Sequence, residues 1–196
     1  MILAVTPFQQ LNEMHIQHLN EIESLIDGVI LRTPMSQEVL FEWVNMLTRH
    51  GFPIEKVIIH SDVELALNLG VKWLHFREMD ATAFKVKSAY PHLTISMSVH
   101  RVASIQQALH NHIDYGVFGH LFMTPSKPNQ EPRSPFEVQR ALDVGLPLIA
   151  IGGIDKKTVQ EVPQQFSGIA AIGSVFNASY REVERLRQHW LYIKEG

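Results

Sequence analysis

Eleven histidines and no cysteine define the chemistry open to this chain of 196 residues. Disulfide scaffolds, thiolate metal sites and cysteine nucleophiles are excluded, so any activity rests on other groups. Histidine is the side chain most easily poised to move protons near neutral pH. The histidines sort by position. His60, His75, His100 and His120 fall in or at the ends of short apolar runs that read as strands three to six. His15, His18, His50, His92, His110, His112 and His189 fall on helices or connecting loops, where a solvated surface role is expected. His75 lies inside a strand, between Leu74 and Phe76, and is expected to be a hydrogen-bonded core residue. A metal site is not expected. No strand carries a His-x-His pair, and only Glu78 and Asp80 offer nearby carboxylates, so ligand type and count are poorly met. A general base among the strand-end imidazoles fits the pattern better.

Phosphate recognition is the second chemistry in view. One apolar run ends Ile151-Gly152-Gly153, and the next ends Ile172-Gly173-Ser174. Glycine lets the backbone approach an oxyanion, and free N–H groups at a helix start then bind it. The same glycines also serve tight turns. Arg32, directly after Ile30-Leu31, and Lys127, in a proline-rich stretch, are cations placed to meet an anionic substrate; a surface ion pair is the alternative for each. Gly-x-Ser-x-Gly and the phosphate-loop run G-x-x-x-x-G-K-[ST] are both absent.

Eight short apolar runs must position these groups: Ile2–Val5, Gly28–Leu31, Val57–His60, Trp73–Phe76, Thr94–Val99, Tyr115–Gly119, Pro147–Ile151 and Gly168–Ile172. They are rich in branched and aromatic residues, as parallel strands buried on both faces require. Helix starts follow them. Ser36 opens a stretch to His50 that Gly51 ends. Ser134-Pro135-Phe136-Glu137 is a capping box with proline at the first helical position. Thr158…Glu161 and Ser179…Glu182 repeat the spacing, and Ser104…Gln107 is a weaker version. Eight strand-helix units predict an α/β fold, a (β/α)8 TIM barrel, in one domain over residues 1–196. The chain is short against the roughly 250 residues typical of that fold, so trimmed helices are expected. Leu121 to Arg133 is the exception, a long segment with three prolines and little periodicity. It follows strand six, on the face where barrels build active sites.

The remaining composition narrows the partners. A formal charge of −3 leaves no electrostatic footprint for nucleic acid. No run approaches the ~20 apolar residues of a spanning helix, and the start carries no basic leader, so a cytoplasmic protein without membrane contact is expected. Trp43, Trp190 and Leu191 read as exposed apolar residues that would support a homodimer.

Taken in order, several of these pieces resemble the thiamine phosphate synthase superfamily over nearly the whole chain. They are Val29-Ile30-Leu31-Arg32, Val57-Ile58-Ile59-His60 through Ala66, Leu74-His75-Phe76, Ser98-Val99-His100, Tyr115 through Lys127, and Ile149 through Phe176. The synthase pattern joins a pyrimidine diphosphate to a thiazole phosphate with magnesium. The chain departs from it at specific places. Ile30 and Pro34 replace the glutamine and lysine of V-Q-L-R-x-K. His60-Ser61-Asp62 stands for N-D-R, so Ser61 replaces a carboxylate expected to hold magnesium, while Asp80 matches the second. Gly119-His120-Leu121-Phe122 stands for G-P-I-F. The Gly-His-x-Phe variant resembles the TenI-like thiazole tautomerase branch, which converts an exocyclic-ene carboxythiazole phosphate into its aromatic isomer. That resemblance implies His120 as the acid/base, and no metal or organic cofactor. Gly152, Gly153, Gly173 and Ser174 would hold the phosphate through N–H groups and a hydroxyl. Arg32 and Lys127 would meet the carboxylate or close the loop, and His100 would orient the phosphorylated thiazole. The alternatives are a true synthase, a regulatory protein that keeps only the phosphate pocket, and another phosphosugar isomerase using a strand-end Glu or Lys.

Overall fold

Branched apolar side chains are stiff and suit a pleat buried on both sides, and runs of them form the eight strands of this computed structural model, which describes residues 1–195. The strands are β1 (Ile2–Val5), β2 (Gly28–Leu31), β3 (Val57–His60), β4 (Trp73–Phe76), β5 (Thr94–Val99), β6 (Tyr115–Gly119), β7 (Leu148–Ile151) and β8 (Gly168–Ala171). All pair in parallel with their sequence neighbours, and β1 pairs with β8 through Leu3 and Ala170, closing the barrel. The expected (β/α)8 fold is therefore present, with strand bounds matching the sequence reading to within one residue.

Alternation along each strand divides the side chains. Leu3, Val5, Ile30, Ile58, Val117 and Ile149 fill the barrel interior. Trp73 and Tyr115 plug its floor edge to face, with centroids 6.3 Å apart. Gly28 makes room for them, since a Cβ there would lie 2.9 Å from the Trp73 ring. The opposite face of each strand packs against the helices. His75 points inward and is 4% exposed, as expected of a core residue. Its Nδ1 lies 2.9 Å from Ser96 Oγ and its Nε2 3.0 Å from Ser98 Oγ. Burial lowers its pKa to about 3, which keeps it neutral.

Seven α-helices surround the described barrel: α1 (Glu13–Glu21), α2 (Gln37–Arg49), α3 (Val63–Leu69), α4 (Ala81–Ala89), α5 (Val102–His110), α6 (Pro135–Leu142) and α7 (Tyr180–Glu195). Ser36 caps α2 and Ser134 forms a full capping box on α6, as their spacing predicts. Other starts differ. Thr158…Glu161 yields only a 3-10 turn, Val159–Glu161, so β7 has no α-helix behind it. Arg101 rather than Ser104 occupies the cap position of α5, because the Ser104 hydroxyl is 2.6 Å from Glu78.

The apolar residues proposed for a dimer face are mostly interior. Trp43 is 4% exposed and Trp190 1%; Trp43 donates its indole N–H to the Asn12 carbonyl at 3.2 Å. Only Leu191 of the three is exposed. Amphipathic helix faces bury large aromatics, and a tryptophan spaced with Leu40, Val44 and Leu47 belongs to such a face. Nor are all the helix histidines solvated: His15 stacks on Phe176 at 5.4 Å and His18 meets the same ring edge on. Among the described residues, no helix is long and apolar enough to cross a membrane.

Candidate active site

Parallel strands deliver their C-terminal ends to one rim, and the loops leaving it enclose a cavity of about 970 Å³. All eight residues singled out from sequence line it: Arg32 after β2, His100 after β5, His120 after β6, Lys127 in the long loop, Gly152 and Gly153 after β7, Gly173 and Ser174 after β8. His60 and His75 also reach it.

His120 is 5% exposed. Its Nε2 lies 3.2 Å from the Gln130 carbonyl oxygen. A carbonyl only accepts, so this bond places a proton on Nε2 and leaves the neutral ring's lone pair on Nδ1. That nitrogen is buried and, among the described residues, has no partner. Leaving a buried polar atom unpaired costs about 1–3 kcal/mol, and native proteins tolerate it chiefly where a ligand or function supplies the partner. The end of the loop is tied to the same stretch of backbone: Arg133 donates its main-chain N–H to the His120 carbonyl at 3.0 Å and its Nε–H to the Gly119 carbonyl at 3.4 Å.

Gly152 and Gly153 have φ of +98° and +68°, and both are crowded. A Cβ on Gly152 would strike the Cβ of His120, and one on Gly153 would strike the carbonyls of Phe122 and Met123. The glycine pair therefore lets the β7 loop press against the loop after β6, a packing duty beyond any ligand role. After β8, Ile172 opens a single turn in which Phe176 N–H reaches the Ile172 carbonyl at 2.7 Å. Among the described residues, the N–H groups of Gly153, Gly173 and Ser174 have no backbone partner, so they are donors available to an anion. The Ser174 hydroxyl differs from expectation. It donates to the Ile154 carbonyl, tying the two loops together, and its proton is not free for a phosphate.

His100 presents the opposite nitrogen. Its Nδ1–H donates to the Gly119 carbonyl at 3.1 Å, leaving the lone pair on Nε2. Its backbone N–H donates to Glu78 Oε1 at 2.8 Å, the same oxygen that accepts from Ser104. Burial lowers the His100 pKa, helped by Lys127 and Arg133, against the opposing pull of the Gly119 carbonyl and Glu78. Burial alone would raise Glu78, but hydrogen bonds from Ser104 and the His100 N–H outweigh it and hold that carboxyl below the usual range.

Arg32 is exposed, its guanidinium 5.1 Å from the centre of the Phe8 ring. Two residues escaped the sequence reading. Arg77 follows β4 as Arg32 follows β2, and that shared position was the available signal; burial, then Arg77 and Arg32, push His60 below the ordinary imidazole range. Gln130 acts through its main-chain carbonyl, which no side-chain pattern reveals. The residues expected to match a magnesium site do not fit one. Asp80 caps α4, accepting from Thr82 N–H at 2.9 Å, Asp62 caps α3 through Leu65 N–H, and Ser61 offers a neutral hydroxyl where a carboxylate was expected. Among the described residues, no group of three or more His, Asp or Glu side chains is arranged to hold a metal ion.

Comparison with known proteins adds ancestry to this geometry. A family model described as thiamine monophosphate synthase matches residues 8–175. A thiamine-phosphate synthase of Anoxybacillus flavithermus is 31% identical over 144 residues, 70% of this chain and 66% of the relative. One from Listeria welshimeri is 29% identical over 148 residues, 72% of this chain and 70% of the relative. The chain thus spans about two thirds of the length of these curated relatives. A thiamine phosphate pyrophosphorylase structure from Pyrococcus furiosus superposes with a TM-score of 0.74 at 20% identity, covering 98% of this chain and 96% of that one. A 3-hexulose-6-phosphate synthase from Salmonella typhimurium superposes at 0.73 with 13% identity, covering 98% of both chains. At such identities the two structures speak for the fold alone.

Proposed function

The chain belongs to the thiamine monophosphate synthase family, and from that premise we propose that it is a thiazole tautomerase. It converts an exocyclic-ene carboxythiazole phosphate into the aromatic carboxythiazole phosphate. The observation that carries this reading is His120, where the synthase pattern has proline, with a buried Nδ1 that has no partner among the described residues and that shares its cavity with the β7 and β8 glycine loops. Aromatisation is downhill, so the barrier lies in taking the proton from ring C2 and delivering one to the exocyclic carbon. Imidazole does this near neutral pH without metal or organic cofactor. The Gln130 carbonyl sets the tautomer, and Gly153, Gly173 and Ser174 offer N–H groups to the phosphate. Arg32, Arg77 and Lys127 supply positive charge for the carboxylate end. The test is direct: the purified protein should convert the tautomer to its aromatic isomer. Bound product should place its phosphate at Gly153 and Gly173–Ser174, with the ring within hydrogen-bonding reach of His120.

A synthase is the second reading, favoured by the names of the curated relatives. Magnesium-dependent formation of thiamine phosphate from pyrimidine diphosphate and thiazole phosphate would select it over the tautomerase. Tight binding of the aromatic product with neither activity would point to a regulatory protein.

A further inference from the structure

His100 and His120 follow adjacent strands, and each commits one ring nitrogen to a main-chain carbonyl; among the described residues the other nitrogen forms no hydrogen bond. Two such imidazoles in one cavity exceed what a single shuttling base requires. We infer that the proton shift is divided between them, His100 Nε2 removing the ring C2 proton and His120 Nδ1 delivering a different proton to the exocyclic carbon. This assignment rests on the tautomerase reading and adds a second catalytic residue to it.

The order of groups around the rim assigns the two roles. The closed barrel places β4, β5, β6, β7 and β8 side by side, so Arg77, His100, His120, the Gly152–Gly153 loop and the Gly173–Ser174 turn succeed one another. The substrate has the same order. Its phosphate arm leads to the exocyclic carbon, then across the ring to C2 and its carboxylate. With phosphate at the β7 and β8 loops, the exocyclic carbon falls beside His120, whose Cβ abuts Gly152. C2 then falls beside His100, and the carboxylate reaches Arg77 and Arg32.

The placement fixes which proton each imidazole must hold. Burial keeps His100 neutral and ready to accept. The division requires His120 to carry a proton on Nδ1 when substrate binds, with its Nε2–H on the Gln130 carbonyl. As His100 takes the C2 proton, the electron pair of that C–H bond becomes the C2=N bond. The old ring C=N pair moves to form the internal ring C=C bond, and the exocyclic C=C pair captures the His120 proton. His100 ends protonated and His120 neutral. One proton lost to water and one gained from it restore the pair, so the reaction consumes no co-reactant.

Substrate deuterated at C2 tests this in ordinary water. His100→Asn keeps an amide near the Nδ1 position, and His120→Gln keeps one near Nε2, so each deletes mainly the working nitrogen. Each should lower turnover by at least about 100-fold and still bind the aromatic product. His120→Gln should wash deuterium out of recovered, unisomerised substrate, because His100 still removes it, whereas His100→Asn should not. The inference is overturned if deuterium migrates from C2 to the product methylene, if His100→Asn turns over at the wild-type rate, or if His120→Gln loses the exchange. Failure of the wild-type protein to convert the tautomer would instead overturn the tautomerase reading itself.

Discussion

His120 is held at both ends of its ring, by Gly152 against Cβ and by the Gln130 carbonyl on Nε2, so its substitutions separate chemistry from packing. His120→Gln is expected to cut tautomerisation by about 10²–10⁴-fold in steady-state assays, with product affinity measured by calorimetry nearly unchanged. Gly152→Ala should do more damage. Its φ of +98° and the collision with His120 both oppose a side chain. A stability loss of about 1–3 kcal/mol in urea melts is expected, along with lost turnover. His75 governs pH rather than catalysis. Its pKa falls from 6.5 unfolded to about 3 folded, so the unfolded chain binds the extra proton between those values. The stability from burying it neutral is complete above pH 6.5 and is lost as pH falls toward 3, at up to about 1.4 kcal/mol per unit. Replacing His75 with Gln should flatten the slope of unfolding free energy against pH in that window; an unchanged slope would contradict the burial.

At the scale of elements, the segment 121–133 is a long connection without helix or strand in a barrel whose helices are trimmed elsewhere, to seven residues in α3 and to a 3-10 turn after β7. It carries Lys127 and the Gln130 carbonyl, and its end is anchored by Arg133 to Glu137, Gly119 and His120. Replacing residues 124–129 with a short Gly-Ser link should leave the melting transition near wild type, because the loop adds little to the core. Turnover should fall by about 100-fold as the imidazole loses its support, a cost typical of ångström-scale misplacement. The helix starts were legible where an oxygen-bearing side chain precedes an apolar face, as at Ser36 and Ser134. They misled at Thr158, where Val159 and Val162 are buried but Pro163 holds Val162 extended and the chain makes only a single 3-10 turn. A cap starts a helix, but its continuation depends on the residues that follow, and a proline a few positions on ends it.

At the scale of the whole molecule, a ligand that binds only the closed barrel must stabilise it by mass action. Aromatic carboxythiazole phosphate at 100 times its dissociation constant should add about 2.7 kcal/mol to unfolding, and the dephosphorylated compound should add little at the same concentration. Equal protection by both would remove the phosphate from the β7–β8 loops. The sequence by itself determined the eight strands, the parallel barrel and the rim positions of His100, His120 and the two glycine loops, because strand period and turn chemistry are local and repeat eight times. It also placed His75 in the core, since an imidazole at an inward-facing position has nowhere else to go. Only the tertiary structure decided which nitrogen of each imidazole is free, because main-chain carbonyls of Gly119 and Gln130 make that choice. It likewise moved Trp43 and Trp190 inside, committed the Ser174 hydroxyl to Ile154 and brought Arg77 to the rim. Those outcomes depend on contacts between segments far apart in the chain, where residue type alone specifies neither partner nor direction.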